Sequence, residues 1–165
     1  MVIAKKGATA RTVDYPAALE VALTWGWIDG QKGRLDDEAW LQKFCPRGPR
    51  SIWSKVNRDK IAALEKAGRM KEPGRAAVRA AQEDGRWERA YDSPANAKVP
   101  DDLAAALGKS AKARRAFEAL DRTNRYAILH RVHTAKLPAT RARRIATFVA
   151  MLARGETLYP PRRPK

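Results

Sequence analysis

The sequence predicts an α+β fold, mostly helical: a small antiparallel sheet with helices, followed by a compact C-terminal helical module. Three observations carry this. Strand-like runs are confined to the first 45 residues, where short apolar stretches end at Gly7 or at the paired acids Asp36-Asp37. From Ser51 onward apolar residues recur at helical spacing, punctuated by Gly68, Gly85, Gly108 and Gly155. No stretch reaches the roughly 18 consecutive apolar residues of a membrane span. We divide the chain into an α+β part, residues 1–92, and a basic helical module with a Pro/Arg tail, residues 93–165.

In order, Val2 to Lys6 reads as a short strand. Asp14 is placed to cap a helix that has Pro16 in its first turn and an apolar stripe of Leu19, Ala22 and Leu23; Gly26 stops it. A hairpin follows, Ile28 to Leu35 and Ala39 to Phe44, turned by Asp36-Asp37. Pro46, Gly48 and Pro49 restrict the next loop. Ser51 or Ser54 caps a helix that places Trp53, Asn57, Ile61 and Leu64 on one face. Pro73 starts an alanine-rich helix that Gly85 ends, and Arg86 to Lys98, without a period, reads as a linker packed down by Trp87 and Tyr91.

The rest is helical. Pro100 to Leu107 forms a short helix closed by Gly108; Ala113, Ala116, Phe117 and Leu120 make the next apolar face. Asp121 caps a helix carrying Tyr126, Leu129 and Val132. Pro138 opens the last helix, with Ile145, Phe148, Val149 and Leu152 inward. Arg141, Arg143 and Arg144 stand at its start, where cations oppose the helix dipole, so they call for ion pairs or an external anion. The tail from Tyr159 to Lys165 is expected to be extended.

With 165 residues and 44% hydrophobic content, the chain suits one domain, or one domain with a small appended module. Cys45, the sole cysteine, excludes an intrachain disulfide, and Met1 to Ala10 lacks the apolar run of a secretory signal, so a cytoplasmic protein is expected. The net charge is +16, unevenly spread: residues 109–165 hold 15 basic and 3 acidic side chains. Such a module favours polyanions, nucleic acid among them, and equally fits arginine used on solvated helix faces.

Four of the five tryptophans lie in the stretch from Trp25 to Asn57, among glycines, prolines and arginines. The run Trp25-Gly26-Trp27-Ile28-Asp29-Gly30-Gln31, then Phe44-x-Pro46-Arg47, then Ser51-x-Trp53-Ser54-Lys55-x-Asn57, resembles the YdeI/OmpD-associated family of bacterial proteins. Val99-Pro100-Asp101-Asp102-Leu103, Ala135-Lys136, Thr140-Arg141-x-Arg143-Arg144-Ile145 and Met151-Leu152-Ala153-x-Gly155 are similar to that family's C-terminal helical module. The resemblance covers nearly the whole chain. It implies a cytoplasmic protein of poorly defined biochemistry, linked by name to bacteriocin or antimicrobial-peptide protection and to a porin, in a setting of envelope stress. It brings no catalytic residues. Family members carry a further helix and strand ahead of the Lys5-Lys6-Gly7 segment, which leaves the pairing of Val2–Lys6 open.

Trp25, Trp27 and Trp53 offer flat faces to an aromatic or apolar ligand, and Arg47 and Arg50 suit clamping of carboxylate or phosphate. Gln31, Ser54 and Asn57 add fixed polar groups; Asp29, a poor strand former, fits a general base or an arginine partner. The same residues fit a structural knot, with the tryptophans as core and Asp29 bonded to a turn or to Arg47. His130 and His133 have metal-ligand spacing but no third ligand of fitting position, and are read as structural or solvated. No metal or cofactor is expected. The leading reading is a binding protein, not demonstrably enzymatic, for a small anionic or aromatic ligand or a peptide. The alternative is non-specific nucleic-acid or other polyanion contact through residues 109–165, with Arg141, Arg143 and Arg144 as contacts. An enzyme built on Asp29 and Arg47 is the weaker option.

Overall fold

The computed structural model describes residues 1–9 and 11–160; most of the expected Pro/Arg tail, residues 161–165, lies outside them. The chain forms two compact units, Met1–Ala90 and a second that begins at Tyr91. Arg86, Trp87 and Ala90, expected in a linker, belong to the first unit: Trp87 and Ala90 pack in its core.

The first unit is built from β1 (Val2–Ala4), α1 (Tyr15–Thr24), β2 (Trp27–Arg34), β3 (Ala39–Pro46), α2 (Lys55–Lys66) and α3 (Glu72–Glu83). The strands make an antiparallel sheet in the order β1-β3-β2. Val2 opposite Leu41 and Ala4 opposite Ala39 settle the pairing of the first strand. The hairpin turn is held by the Asp36 carboxylate, which accepts from the backbone N–H groups of Glu38 (2.8 Å) and Ala39 (2.7 Å). Between Asp29 and Lys32 the β2–β3 register slips by a bulge, and the buried Gln42 donates to the Gly30 carbonyl there at 3.1 Å. Asp14 caps α1 by accepting from Ala17 N–H, and Ser54 caps α2 by accepting from Asn57 N–H.

The core of this unit joins Leu19, Leu23, Trp53, Ile61, Leu64, Met70, Ala81 and Ala90. Two glycines let α1 and α3 approach closely. Gly26 sits at φ +76°, and a Cβ there would meet the Pro73 carbonyl oxygen at 2.7 Å. Gly74 is buried against the end of α1, where a Cβ would collide with the Thr24 carbonyl oxygen and with Met70 Cε.

The second unit is all helical in its regular elements: α4 (Asp101–Gly108), α5 (Ala111–Glu118), α6 (Arg122–His133) and α7 (Pro138–Ala153). Leu103, Leu107, Phe117, Ile128, Val132, Phe148 and Leu152 are among the buried residues of its core. Gly108 does not close α4 in the expected way. It is the last helical residue, without positive φ, and the chain turns through Lys109 into Ser110, whose hydroxyl caps α5. At the other end, the buried Asn124 side chain donates to the Tyr159 carbonyl (3.2 Å) and accepts from Tyr159 N–H (2.9 Å), so the start of the expected tail is fixed to α6.

Candidate functional site

The residues between Trp25 and Asn57 separate into two environments. In the first, Trp53 is 1% exposed and carries the Arg47 guanidinium over its ring at 3.4 Å. Its other neighbour is the Trp87 ring, edge-on at 4.9 Å, which in turn has Arg58 over it at 5.1 Å. The result is a layered stack, Arg47–Trp53–Trp87–Arg58, in which cation–π attraction adds to apolar burial. Arg47 also donates from Nη1 to the Ile52 carbonyl at 3.1 Å, and its backbone N–H donates to the Gly26 carbonyl at 3.0 Å. Buried Arg86 braces the loop from the opposite side: Nη1 donates to the Ser51 carbonyl at 2.9 Å while Nε grips the Asp84 carboxylate. That contact holds the Asp84 carboxyl below the usual carboxylate range. Ser54 and Asn57 are buried at the start of α2, joined by the capping bond.

In the second environment the side chains are open. Trp25 is 48% exposed and Trp27 41%. Together with Met1, Val21 and Phe44 they line a surface groove of about 400 Å³, floored by Ala18 and Ala22 of α1. Local structure explains the convergence. Ala18, Ala22 and the C-cap residue Trp25 recur at i, i+4 and i+7 along α1 and its end, with Val21 beside them, which makes a second apolar stripe next to the buried Leu19–Leu23 stripe. On the sheet, Phe44 stands opposite Asp29, so Phe44 and Trp27 share one face. Asp29 is half-buried and accepts from the Tyr15 hydroxyl at 2.7 Å. Gln31 and Arg50 are exposed, and neither lines the groove.

The structure therefore brings Trp25 and Trp27 together and places Trp53, Ser54 and Asn57 in the interior, with Arg47 stacked over Trp53. Sequence reading missed Val21, Phe44 and Met1 as groove walls and Tyr15 as the partner of Asp29. The signal for Val21 was present in the spacing: it lies outside the Leu19–Leu23 stripe and four residues before Trp25; in the structure it is 57% exposed.

At the start of α7, Arg141 takes up an ion pair, one of the two roles expected there, and with Arg144 it also serves a helix end. Arg141 forks onto Asp102, Nε to Oδ2 at 2.6 Å and Nη2 to Oδ1 at 2.9 Å, and donates from Nη1 to the Val132 carbonyl at 2.9 Å. Arg144 donates to the Arg131 carbonyl. Both carbonyls belong to the last turn of α6, where the Val132 carbonyl also accepts from the Ala135 N–H at 3.3 Å. The cations that oppose the dipole of α7 thus serve the negative end of α6. The Arg141 fork holds the Asp102 carboxyl below its usual range. Arg143 is exposed.

Fold and surface define a two-unit chain: an α+β unit with an apolar groove, and a helical unit with a strongly basic sequence. Residues 96–155 match the family described as "Bacteriocin-protection, YdeI or OmpD-Associated". Residues 1–77, which contain the Trp25–Asn57 motifs, match a separate domain family of unknown function (DUF8412). No curated protein and no solved structure matches the chain.

Proposed function

We propose that the protein is a cytoplasmic binding protein whose α+β unit takes an apolar or aromatic-faced ligand, or the apolar face of a peptide, in the Trp25/Trp27 groove. The observation behind this reading is the pair of exposed indoles facing one apolar groove of about 400 Å³. That volume is in the range of small-ligand sites, and an apolar patch of this kind on a surface is costly unless it is used. The anion clamp attributed to Arg47 has less support, because its guanidinium lies on Trp53. The family's link to bacteriocin protection and envelope stress extends to this chain as part of the proposal. A net charge of +16 disfavours direct capture of a cationic peptide, so we favour a neutral or acidic ligand.

The test is isothermal titration with the apolar anionic dye 8-anilinonaphthalene-1-sulfonate. Saturable binding to the native protein, lost in Trp25→Ala/Trp27→Ala with the circular-dichroism spectrum unchanged, is the expected result. Equal binding by the variant, or loss of fold on making it, would reduce the groove to a structural surface.

A second reading, contact with nucleic acid, draws on the charge of residues 109–165. Arg143 is its exposed contact; Arg141 and Arg144 are occupied at the end of α6. We expect Arg143→Ala to reduce the slope of log affinity against log salt for a generic duplex by about 1. An unchanged slope removes Arg143 as a contact. We do not propose catalysis by Asp29 and Arg47, since the first is bonded to Tyr15 and the second is stacked on Trp53.

A further inference from the structure

The sheet of the first unit has an open edge. In the order β1-β3-β2, β2 has β3 on one side only. Among the described residues, no backbone bond joins Trp27–Arg34 to any element but β3. Trp27, Gln31, Lys32 and Arg34 are exposed along it. The strand has eight residues, about 27 Å of length at ~3.4 Å each, and its outer N–H and C=O groups can take a further strand.

The bulge decides which strand fits. Asp29 stands opposite Phe44 and Lys32 opposite Gln42, with Gly30 and Gln31 against the single Lys43 between them. Phe44 and Gln42 are two apart on β3 and share a face, so Asp29 and Lys32 share it too, although three apart in sequence. Trp27 and Arg34, opposite Pro46 and Trp40, belong to the same set. Residues directly opposite in an antiparallel pair lie on one face of the sheet. A regular strand can therefore meet its own copy about a two-fold axis only with residues an even number of positions apart facing each other. The extra residue of the bulge makes that number odd for pairs that span it. The register centred on the bulge then sets Asp29 against Lys32, Ile28 against Gly33 and Trp27 against Arg34 of a second copy, each twice.

We propose that the β2 edge pairs with the β2 edge of a second copy of this chain in that register, joining two three-stranded sheets into one. Charge complementarity selects the partner. Among the described residues neither Asp29 nor Lys32 has an ion-pair partner in its own chain: the Asp29 carboxylate accepts from the Tyr15 hydroxyl, and the Lys32 ammonium lies 4.2 Å over the Trp40 ring. The two-fold axis forms both ion pairs at once and brings Arg34 beside Trp27 at either end. Two other charges of the hairpin lie near. Lys43 is on the opposite face of the sheet, and Asp37 holds Arg34 only in a solvent-exposed contact at 3.4 Å. An edge lysine and a bulge discourage an arbitrary strand, but here each meets its match in the copy. The net charge of +16 opposes association, and that repulsion is screened over ~10 Å at 0.1 M salt. A contact of one strand is at the small end for protein pairs, so the dimer forms reversibly. It does not depend on what the Trp25/Trp27 groove binds.

The experiment is sedimentation velocity of the full chain over a wide concentration range at physiological ionic strength. We expect a shift from monomer to dimer with rising concentration. Lys32→Glu sets carboxylates against Asp29, and Asp29→Lys sets ammonium groups against Lys32; each should weaken the dimer roughly tenfold or more. Mixing the two variants should restore it, since each supplies the charge that the other lacks. Should Asp29→Lys fail to fold without its Tyr15 bond, Lys32→Glu against Lys32→Arg decides, the first monomeric and the second dimeric like the native chain. A native chain that stays monomeric throughout, a dimer that Lys32→Glu leaves unchanged, or two folded variants that do not associate on mixing would each overturn the proposal.

Discussion

At the scale of single residues, Trp53 shows how one amino-acid type serves two ends. It is closed under Arg47, whereas Trp25 and Trp27 are open to solvent. Its indole N–H has no hydrogen-bond partner among the described residues, so packing and the cation–π contact hold it, not polarity. Two substitutions separate these contributions. Trp53→Ala should cost about 3–5 kcal/mol in urea denaturation, the range for a large buried aromatic. Trp53→Phe should cost less than half of that, because it removes an unsatisfied donor along with some area. A similar loss in both would mean that the indole edge carries the stability. The concentration of tryptophan was legible in the sequence; which of them were buried was not. Burial depends on where Arg47 and Trp87 fall, and Trp87 is more than thirty positions away, with no local pattern linking the two.

At the scale of elements, helix boundaries were largely readable because caps are local chemistry. Asp14, Ser54 and Asp121 each accept from the backbone three residues on. The role of Arg141 was not readable, since it depends on two elements meeting, α7 with the end of α6 and with Asp102 on α4. We expect Arg141→Gln to lower stability by about 1–3 kcal/mol, the cost of charged hydrogen bonds to a helix end. The pH dependence has a definite sign. The folded-state pKa of Asp102 lies below its ordinary value, so its stabilisation is present at neutral pH and lost as pH falls through that lowered value. Denaturation curves between about pH 5 and pH 2 should show a loss in the native protein that is smaller in Arg141→Gln. The contact of α1 with α3 makes a further demand. Gly74→Ala should destabilise by about 1–3 kcal/mol as the helices are forced apart. A neutral result would show that α3 slides freely.

At the scale of the whole molecule, sequence reading found an α+β chain with a helical, basic C-terminal module, and the groove was half found. Trp25 and Trp27 came from composition, while Val21 and Phe44 required knowing which face of α1 meets which face of the sheet. Charge was legible as a sum; of the three arginines singled out, Arg141 makes the ion pair that its place at the start of α7 called for, and Arg141 and Arg144 also donate to the end of α6. The division of the tryptophans has one more consequence, an optical one. Trp53 sits in a water-excluded stack and should emit toward the blue; Trp25 and Trp27 face water and should emit toward the red, within reach of acrylamide. Over the emission of the half-buried Trp40 and Trp87, the groove then adds a readily quenched component and the core a protected one that changes when the core opens; Trp40→Phe and Trp87→Phe in the background isolate the two. Occupancy and unfolding become distinguishable in a single sample.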